Sequence, residues 1–396
     1  MQYDYDLIIV GGGLAGNCLA LALKDAGLNC AIIEASTPEQ LQTSPAGDRA
    51  LALAAGTVQQ LEQMGVWQGI CHAATAIKNI HISDRGHFGK TRLSAEKEQV
   101  DALGYVISAR DLETHAAKLV TETSTVPFSP ARVVSLSTEA DKISVNIQQG
   151  DESLTLTAKL LIGADGGQSS IRQLLNISQQ VTDYGQTALV TTVTSTLAHK
   201  NTAFERFTSS GPLALLPIAH KQSSVVWTRS TEAAKTLLQS SETDFLAQLQ
   251  ACFGYKLGKL SLSAPVRSFP LALIRAEKMI AERVVIIGNA VHQLHPVAGQ
   301  GFNLGLRDVV QLADRLITQH QAEKDLGAED FLKDYAAARQ KDHDLVIGFT
   351  NNVVRIFSND WLPLAAARNL GLTLLDHIPK AKSLLSRYAM GLEQTD

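Results

Sequence analysis

The chain has 396 residues, 45% of them hydrophobic and 19% charged, with 35 basic against 39 acidic side chains and a formal net charge of -4. That length supplies core for two or three domains, or for one large domain with an insertion, and excludes both a disulfide-stapled mini-protein and a disordered chain. The near balance of charge provides no global field for a polyanion, so nucleic acid is not an expected partner.

Cys18, Cys30, Cys71 and Cys252 are scattered without a CxxC pair, and they read as reduced thiols of a cytoplasmic protein. A strand-like run starting at Tyr5 leaves no room for a signal peptide, and no uninterrupted apolar stretch of about 18 residues predicts a membrane span.

Tyr5 to Val10 (YDLIIV) is a short apolar run that predicts a strand buried on both faces. Leu14 to Ala26 follows at helical spacing with Gly27 as C-cap, and Cys30 to Glu34 predicts a second buried strand, completing a βαβ unit. Gly11-Gly12-Gly13-Leu14-Ala15-Gly16 places GxGxxG at the strand-to-helix junction. There Gly11 permits the tight turn, Gly13 lets a pyrophosphate approach the backbone and Gly16 lets the helix pack on the strand. The helix start, at Leu14 and Ala15, offers amide donors. Glu34 closes the second strand, where a carboxylate accepts the hydroxyl hydrogens of an adenosine ribose and repels a 2'-phosphate. FAD or NAD, rather than NADP, is expected at this site.

Residues 77 to 107 alternate around a turn at Arg85-Gly86 and predict edge strands or a small sheet. Ser108 with Asp111 resembles a capping box, and a helix continues over Leu112 to Val120. RVVSLS, KISVNIQ and SLTLTAKLLIG predict three further strands, the last running into Gly163-Ala164-Asp165-Gly166-Gly167-Gln168-Ser169-Ser170-Ile171-Arg172. From 186 to 270 the chain is richest in strands (TALVTTVTST, FERFT, LALLPIA, SVVWTR), which suits an antiparallel sheet. A helix over Glu242 to Cys252, with Ser241 as N-cap, interrupts it. RVVIIG restores the buried-strand pattern and leads into Gly288-Asn289-Ala290-Val291-His292 and then His295-Pro296-Val297-Ala298-Gly299-Gln300-Gly301-Phe302-Asn303-Leu304-Gly305, beyond which nearly everything is helical. The expected organisation is a discontinuous nucleotide-binding domain (1–76, 108–180, 271–330), an inserted antiparallel substrate domain (77–107, 181–270) and a helical region over 331–396.

In that order, GxGxxG, GADGxxSxxR and GNAxHxxxPxxGQGxN resemble the three fingerprints of the class A flavin-dependent aromatic hydroxylases, over nearly the whole chain. Asp48 to Thr57, Phe204 to Thr208, Gly211 to Ala214 and Leu294 to Gly305 are most similar to the ubiquinone-biosynthesis hydroxylases. Asn289, where sister enzymes generally carry Asp, points to the branch acting on 2-polyprenyl-6-methoxyphenols. The resemblance implies an α/β fold of the para-hydroxybenzoate hydroxylase type, a GR2-type Rossmann FAD domain with an inserted antiparallel sheet.

By the same resemblance Gly11, Gly13 and Gly16 would cradle the FAD pyrophosphate, Glu34 the adenosine ribose, and Arg49 the phosphate or ribityl region. Val133 would also touch the cofactor. Asp165 and Gly166 would support the FAD region and the passage of NAD(P)H, and Asn289 would hydrogen-bond the ribityl chain. Pro296, Gly299, Gln300, Gly301, Phe302 and Asn303 would lie beside the isoalloxazine, under a helix N-terminus that stabilises negative charge on the reduced ring. Arg110 is either a further FAD contact or an ordinary helix-surface arginine.

The activity implied is monooxygenation with NAD(P)H and O2, the substrate a 2-polyprenyl-6-methoxyphenol converted to the 1,4-benzoquinol, and the partners those of a ubiquinone-biosynthesis complex. Phe204, Phe207, Leu215 and Trp227 are candidates for an apolar tunnel, although core packing explains each equally. Rival readings are a hydroxylase of another ring position or phenol, a reductase or halogenase on the same scaffold, and a non-catalytic lipid-binding subunit. His295 is a candidate to orient substrate or relay a proton, with a structural histidine as the alternative. No histidine spacing predicts a metal, and GxSxG is absent. Trp361 to Leu392, with Arg368, Lys380, Lys382 and Arg387 among apolar residues, suits either peripheral contact with an anionic membrane or packing back onto its own domain.

Overall fold

The computed structural model describes residues 3–357, 368–371, 376–378, 382–384, 386–387 and 390–391. Leu7, Ile8, Ile9, Leu160, Leu161, Ile162, Val284 and Val285 are completely buried. Continuous apolar runs of this kind suit strands covered on both faces. They form a parallel core in which Val284–Ile286, Glu152–Gly163, Tyr5–Val10, Cys30–Ile33 and Val126–Phe128 lie side by side in that order. Ile8 sits opposite both Leu161 and Ala31. Three antiparallel strands, Ile280–Ala281, Arg132–Thr138 and Ile143–Gln149, complete this eight-stranded sheet.

Leu14–Ala22 packs against the helices Ala109–Thr121 and Gln300–Gln321. It ends four residues before the expected Ala26. The chain tightens there into i to i+3 bonds, Lys24 N–H to Leu21 O at 3.4 Å and Ala26 N–H to Leu23 O at 3.0 Å, a common way for a last turn to close.

The second sheet runs His292–Gln293, Arg267–Ala276, Gln179–Ser195, Gln222–Ser230, Gly211–Ala219, Thr202–Thr208, Asn79–Asp84, Lys90–Ser94, with Leu260–Leu262 beside Gln179–Ser195. Its pairings are antiparallel except for Thr202–Thr208 against Asn79–Asp84. Alternation along each strand sorts the two faces. Leu189, Leu213, Leu215, Val225 and Trp227 pack with residues of the helices Thr231–Gln239 and Glu242–Phe253 in a core of their own. Their neighbours in sequence, among them Ala188, Val190, Ala214 and Val226, face a large cavity instead. The first of these helices follows its strand directly, after the polar stretch Thr228 to Glu232, and its start is marked by a cap, Ser230 Oγ accepting from Ala233 N–H at 3.4 Å.

A small antiparallel sheet of Ala50–Ala54, Gly104–Ser108 and Thr75–Ile77 lies against the cavity. Glu329–Phe357 packs on Gln300–Gln321. Much of Trp361 to Leu392, Lys380 included, is outside the described residues. Within the described part, Arg368 Nε donates to Asp84 Oδ2 at 2.8 Å, Lys382 pairs with Asp376 at 2.7 Å, and Met390 is buried with Leu93, Ala95 and Leu103. No helix of the described residues is long and apolar enough to cross a membrane.

Candidate functional site

Three parallel strands, Tyr5–Val10, Glu152–Gly163 and Val284–Ile286, deliver three glycine-containing turns to the same end of the first sheet. Ligands of open α/β sheets bind at such carboxyl ends. The turns touch one another. Gly11 has φ +109°, and a Cβ there would lie 2.5 Å from Ala164 O; a Cβ on Gly16 would lie 1.9 Å from Gly11 O. Around Gly13, by contrast, nothing lies within 4 Å of where a Cβ would stand, so the loop presents bare backbone to open space. Arg172 ties the second turn to the third, donating from Nη2 to Gly167 O at 2.8 Å and from Nη1 to Ala290 O at 2.9 Å.

The space they enclose is a cavity of about 1790 Å³. Gly11, Gly13, Leu14, Ala15, Glu34, Arg49, Arg110 and Val133 line it from the first half of the chain. Asp165, Gly166, Asn289, Pro296, Gly299, Gln300, Gly301, Phe302 and Asn303 line it from the second. Gly16 stands behind the wall, where it sets the helix-to-strand distance.

Several of these groups hold unused bonding capacity. Arg110 Nη2 donates to Ser44 O at 2.9 Å and pairs with Asp48 at 2.5 Å, while its Nη1 is buried without a partner. Asp165 Oδ2 accepts from Ser170 N–H at 2.6 Å and Ile171 N–H at 3.1 Å, while Oδ1 is buried and unpartnered. Glu34 is held in place by Gly12 N–H and Ser36 N–H, each at 2.7 Å. The helices starting at Leu14 and Gln300, whose first residues line the cavity, have no side-chain cap, whereas serines cap those starting at Ala109, Thr231 and Glu242. Uncapped first-turn N–H groups are donors for an anion. Backbone donors at both ends, a free guanidinium nitrogen and a free carboxylate oxygen fit a dinucleotide with phosphates and hydroxyls, as FAD has.

Asn303 is used differently. Its Oδ1 accepts from Ala54 N–H at 3.0 Å and Thr57 Oγ1 at 2.7 Å, and its Nδ2 donates to Ala52 O at 3.1 Å and Gly299 O at 2.8 Å. All four bonds are internal, so the side chain clamps the loop to strand Ala50–Ala54. Asn289 is exposed to the cavity.

His295 does not line the cavity. Its Nδ1 accepts from Val297 N–H at 3.3 Å, its ring meets Tyr184 edge-on at 5.3 Å, and burial pulls its pKa down to about 4, leaving it neutral near pH 7. A cluster invisible to spacing lies behind the third turn: Asp308 binds His292 Nε2 at 3.2 Å, His343 Nε2 at 2.7 Å and Arg339 Nε at 2.7 Å. Its members come from three elements. Two histidines and a carboxylate could hold a metal ion, but the guanidinium on the same carboxylate opposes a dication.

The apolar half of the cavity corrects the tunnel expectation. Phe204 borders it, but its ring packs with His81 and Phe253 on the opposite sheet face, and Phe207, Leu215 and Trp227 do not line it. Leu215 and Trp227 point to the opposite sheet face, and Phe207 stacks on Phe357 at 4.0 Å between ring centroids. Ala214, Leu216, Val226, Val190 and Ile82 form the wall, together with Glu205, an ionisable residue that the sequence reading passed over.

A family model described as FAD binding domain matches residues 4–349. Ubiquinone hydroxylase UbiL of Rhodospirillum rubrum is 35% identical over 395 residues, covering 98% of this chain and 89% of that protein. The Escherichia coli 3-demethoxyubiquinol 3-hydroxylase is 28% identical over 393 residues, covering 98% of each. Among solved structures, p-nitrophenol 4-monooxygenase PnpA from Pseudomonas putida matches with a TM-score of 0.80 at 17% identity, over 98% of this chain and 99% of that one, which shows a shared fold.

Proposed function

Because the chain belongs to the FAD-binding-domain family and is a flavin-dependent aromatic monooxygenase of ubiquinone biosynthesis, we propose that it hydroxylates a 2-polyprenyl-6-methoxyphenol to the 1,4-benzoquinol. The observation that carries this reading is that one cavity holds both the cofactor cradle and an apolar chamber. At about 1790 Å³ it exceeds the roughly 300–1,000 Å³ of a pocket for one drug-sized ligand. That volume suits FAD together with a second, largely apolar molecule.

FAD, when bound, supplies hydride acceptance from NAD(P)H and the activation of oxygen. The chain binds and orients it. Gly13 and the first turn of Leu14–Ala22 would receive the pyrophosphate, and Glu34, already fixed by two N–H donors, would accept from the ribose. The free Nη1 of Arg110 and the Arg49 side chain would meet phosphate or ribityl oxygens. Val133 would flank the cofactor, Asp165 Oδ1 would accept a hydroxyl, and Asn289 would hydrogen-bond the ribityl chain. Pro296 and the loop Gly299–Phe302 would carry the isoalloxazine, with Asn303 fixing the loop so that the amides of the following helix face the charge that develops on reduction. The apolar sheet face would shield the reacting ring from water.

The test is an anaerobic titration of FAD-loaded protein with NADPH, with and without a short-chain 2-prenyl-6-methoxyphenol, followed by oxygen. Phenol-accelerated bleaching of the flavin and a 1,4-benzoquinol product support the assignment. Oxygenation at a different carbon, or reduction indifferent to the phenol with no product, overturns it.

A further inference from the structure

The register of the second sheet decides what surrounds Glu205. Strand Thr202–Thr208 places it opposite Ala214 on one side and Ile82 on the other. Ala214 in turn pairs with Val226, and Val226 with Val190. Paired residues share a face, so a single row crosses the sheet as Ile82, Glu205, Ala214, Val226, Val190, and all five line the cavity. Among the described residues, every other ionisable side chain lining the cavity belongs to the cofactor half; Glu205 alone comes from the nine-stranded sheet.

Nothing among the described residues explains a carboxyl group there. No hydrogen bond or ion pair to it exists among the described residues, and burial alone pushes its pKa up to about 7. The neighbouring strands offer no counter-charge. Gly211–Ala219 contains no ionisable residue. In Asn79–Asp84, His81 lies on the other face beside Lys256, as does Arg206 of Glu205's own strand, while Asp84 is already held by Arg368 and Asn369. The helix Glu329–Phe357 contributes Phe349 to the cavity wall. Glu205 is half-buried and faces the cavity; once a ligand displaces the water there, a carboxyl without a partner is costly, and an apolar residue would complete the row without that cost. The position therefore calls for a ligand with a polar group to meet it.

We propose that Glu205 is the polar anchor of the substrate chamber, its carboxylate accepting the hydrogen bond of the substrate's phenol hydroxyl and taking that proton during hydroxylation. This rests on the phenol monooxygenase reading above. In the proton transfer the phenol O–H bond breaks, its electron pair stays on oxygen and enriches the ring, and a new O–H bond forms on Glu205. When the oxygenated ring regains aromaticity, the C–H bond at the oxygenated carbon breaks and its proton leaves to water, while Glu205 returns its proton to the phenol oxygen, which regenerates the carboxylate. General base assistance of this kind is worth roughly 10²–10⁴-fold.

The test compares FAD-loaded wild type with Glu205→Gln, both checked for flavin content and thermal midpoint. It measures equilibrium binding of a short-chain 2-prenyl-6-methoxyphenol and of its O-methyl ether, which lacks the proton to donate, and the hydroxylation rate of the phenol. Wild type should prefer the phenol by about 10-fold or more, the worth of one charge-assisted hydrogen bond. In Glu205→Gln that preference should collapse and hydroxylation should fall by about 100-fold. Glu205→Asp, which keeps the charge on a shorter arm, should retain the preference for the phenol and serves in its place if the Gln variant does not fold. A wild type that binds phenol and ether equally, or a Gln variant with unchanged preference and rate, overturns the anchor. A wild type that prefers the phenol through Glu205 but forms no hydroxylated product leaves the anchor standing and overturns the function.

Discussion

Asp308 is 1% exposed and accepts four bonds: from Gly288 N–H at 3.2 Å, His292 Nε2 at 3.2 Å, His343 Nε2 at 2.7 Å and Arg339 Nε at 2.7 Å. Asp308→Ala leaves the fully buried Arg339 with only its ion pair to Asp342, at 2.8 Å. Removing one member of a buried pair costs about 3–5 kcal/mol, and the orphaned Gly288 N–H adds about 1 kcal/mol. Against a total stability of about 5–15 kcal/mol, the variant should lose about a quarter or more. Urea unfolding of the FAD-free protein measures this as a lower midpoint at unchanged slope. Burial pushes the Asp308 carboxyl up, but the hydrogen bonds and charge of His292 and His343 outweigh it and hold it well below the usual carboxylate range. A depressed folded-state pKa stabilises the fold above the unfolded value of about 3.9, and that stability is lost as pH falls through the folded value. Asp308→Asn should therefore lie between wild type and Asp308→Ala at neutral pH and show a shallower loss in acid. Because Asp308 also fixes the turn carrying Asn289, folded Asp308→Ala should retain FAD more weakly. A loss below about 1 kcal/mol would refute the reasoning, since it would mean that the buried guanidinium does not depend on this carboxylate.

Gly13→Val enters open space and should leave the urea midpoint within the roughly 0.5 kcal/mol of an innocuous substitution while weakening FAD binding at least about 10-fold; Gly16→Val, driven into Gly11 O, should fail to fold. In the second sheet, Leu215→Ala should cost about 2–5 kcal/mol yet leave phenol affinity of the folded protein unchanged, whereas Ala214→Phe should block the phenol at near-normal stability; titration of both variants checks the assignment of faces. For His295, folding lowers the pKa from about 6.5 to about 4. The unfolded chain therefore binds more protons between these values, and stability falls by up to about 3 kcal/mol as pH drops from 6.5 to 4. His295→Gln should flatten that part of the stability curve and leave the pH profile of turnover above pH 6.5 unchanged.

Motifs confined to one turn were legible in the sequence. GxGxxG predicts its strand, its helix start and the close approach of Gly16, because those depend on residues within a few positions of each other. Cap signals were equally local: Ser241 Oγ accepts from Asp244 N–H at 3.1 Å, where the helix was expected to begin. Everything set by strand register was not legible there. Leu215 and Ala214 are neighbours in one apolar run, and only the pairing of that strand decides which faces the chamber. Glu205 was hidden for the same reason: in Phe204-Glu205-Arg206-Phe207 the two phenylalanines are three apart and fall on opposite faces of a strand, so only the pairing decides what the glutamate faces. The Asp308 cluster draws on residues 288, 292, 308, 339 and 343, and no spacing rule spans such a set.

The clamps around the glycine turns answer a problem that the glycines themselves create. Removing side chains at Gly11, Gly13 and Gly299 lets backbone approach a cofactor, but it also leaves the loops with the largest conformational freedom to lose. Each turn is accordingly held by a side chain whose bonds are internal. Asn17 Nδ2 donates to Gly12 O at 2.6 Å, Arg172 joins Gly167 to Ala290, Asp308 holds Gly288, and Asn303 ties Gly299 to Ala52 and Ala54. Preorganised donors cost no reorganisation when charge develops, so these clamps should matter to turnover without touching substrate. Asn303→Ala tests that directly. It removes four bonds from the loop but none of the amides that would face the isoalloxazine, so phenol affinity should change little. FAD retention and the rate of flavin reduction should fall together. If both stay at wild-type values in the folded variant, the loop holds its shape without the clamp and the argument fails.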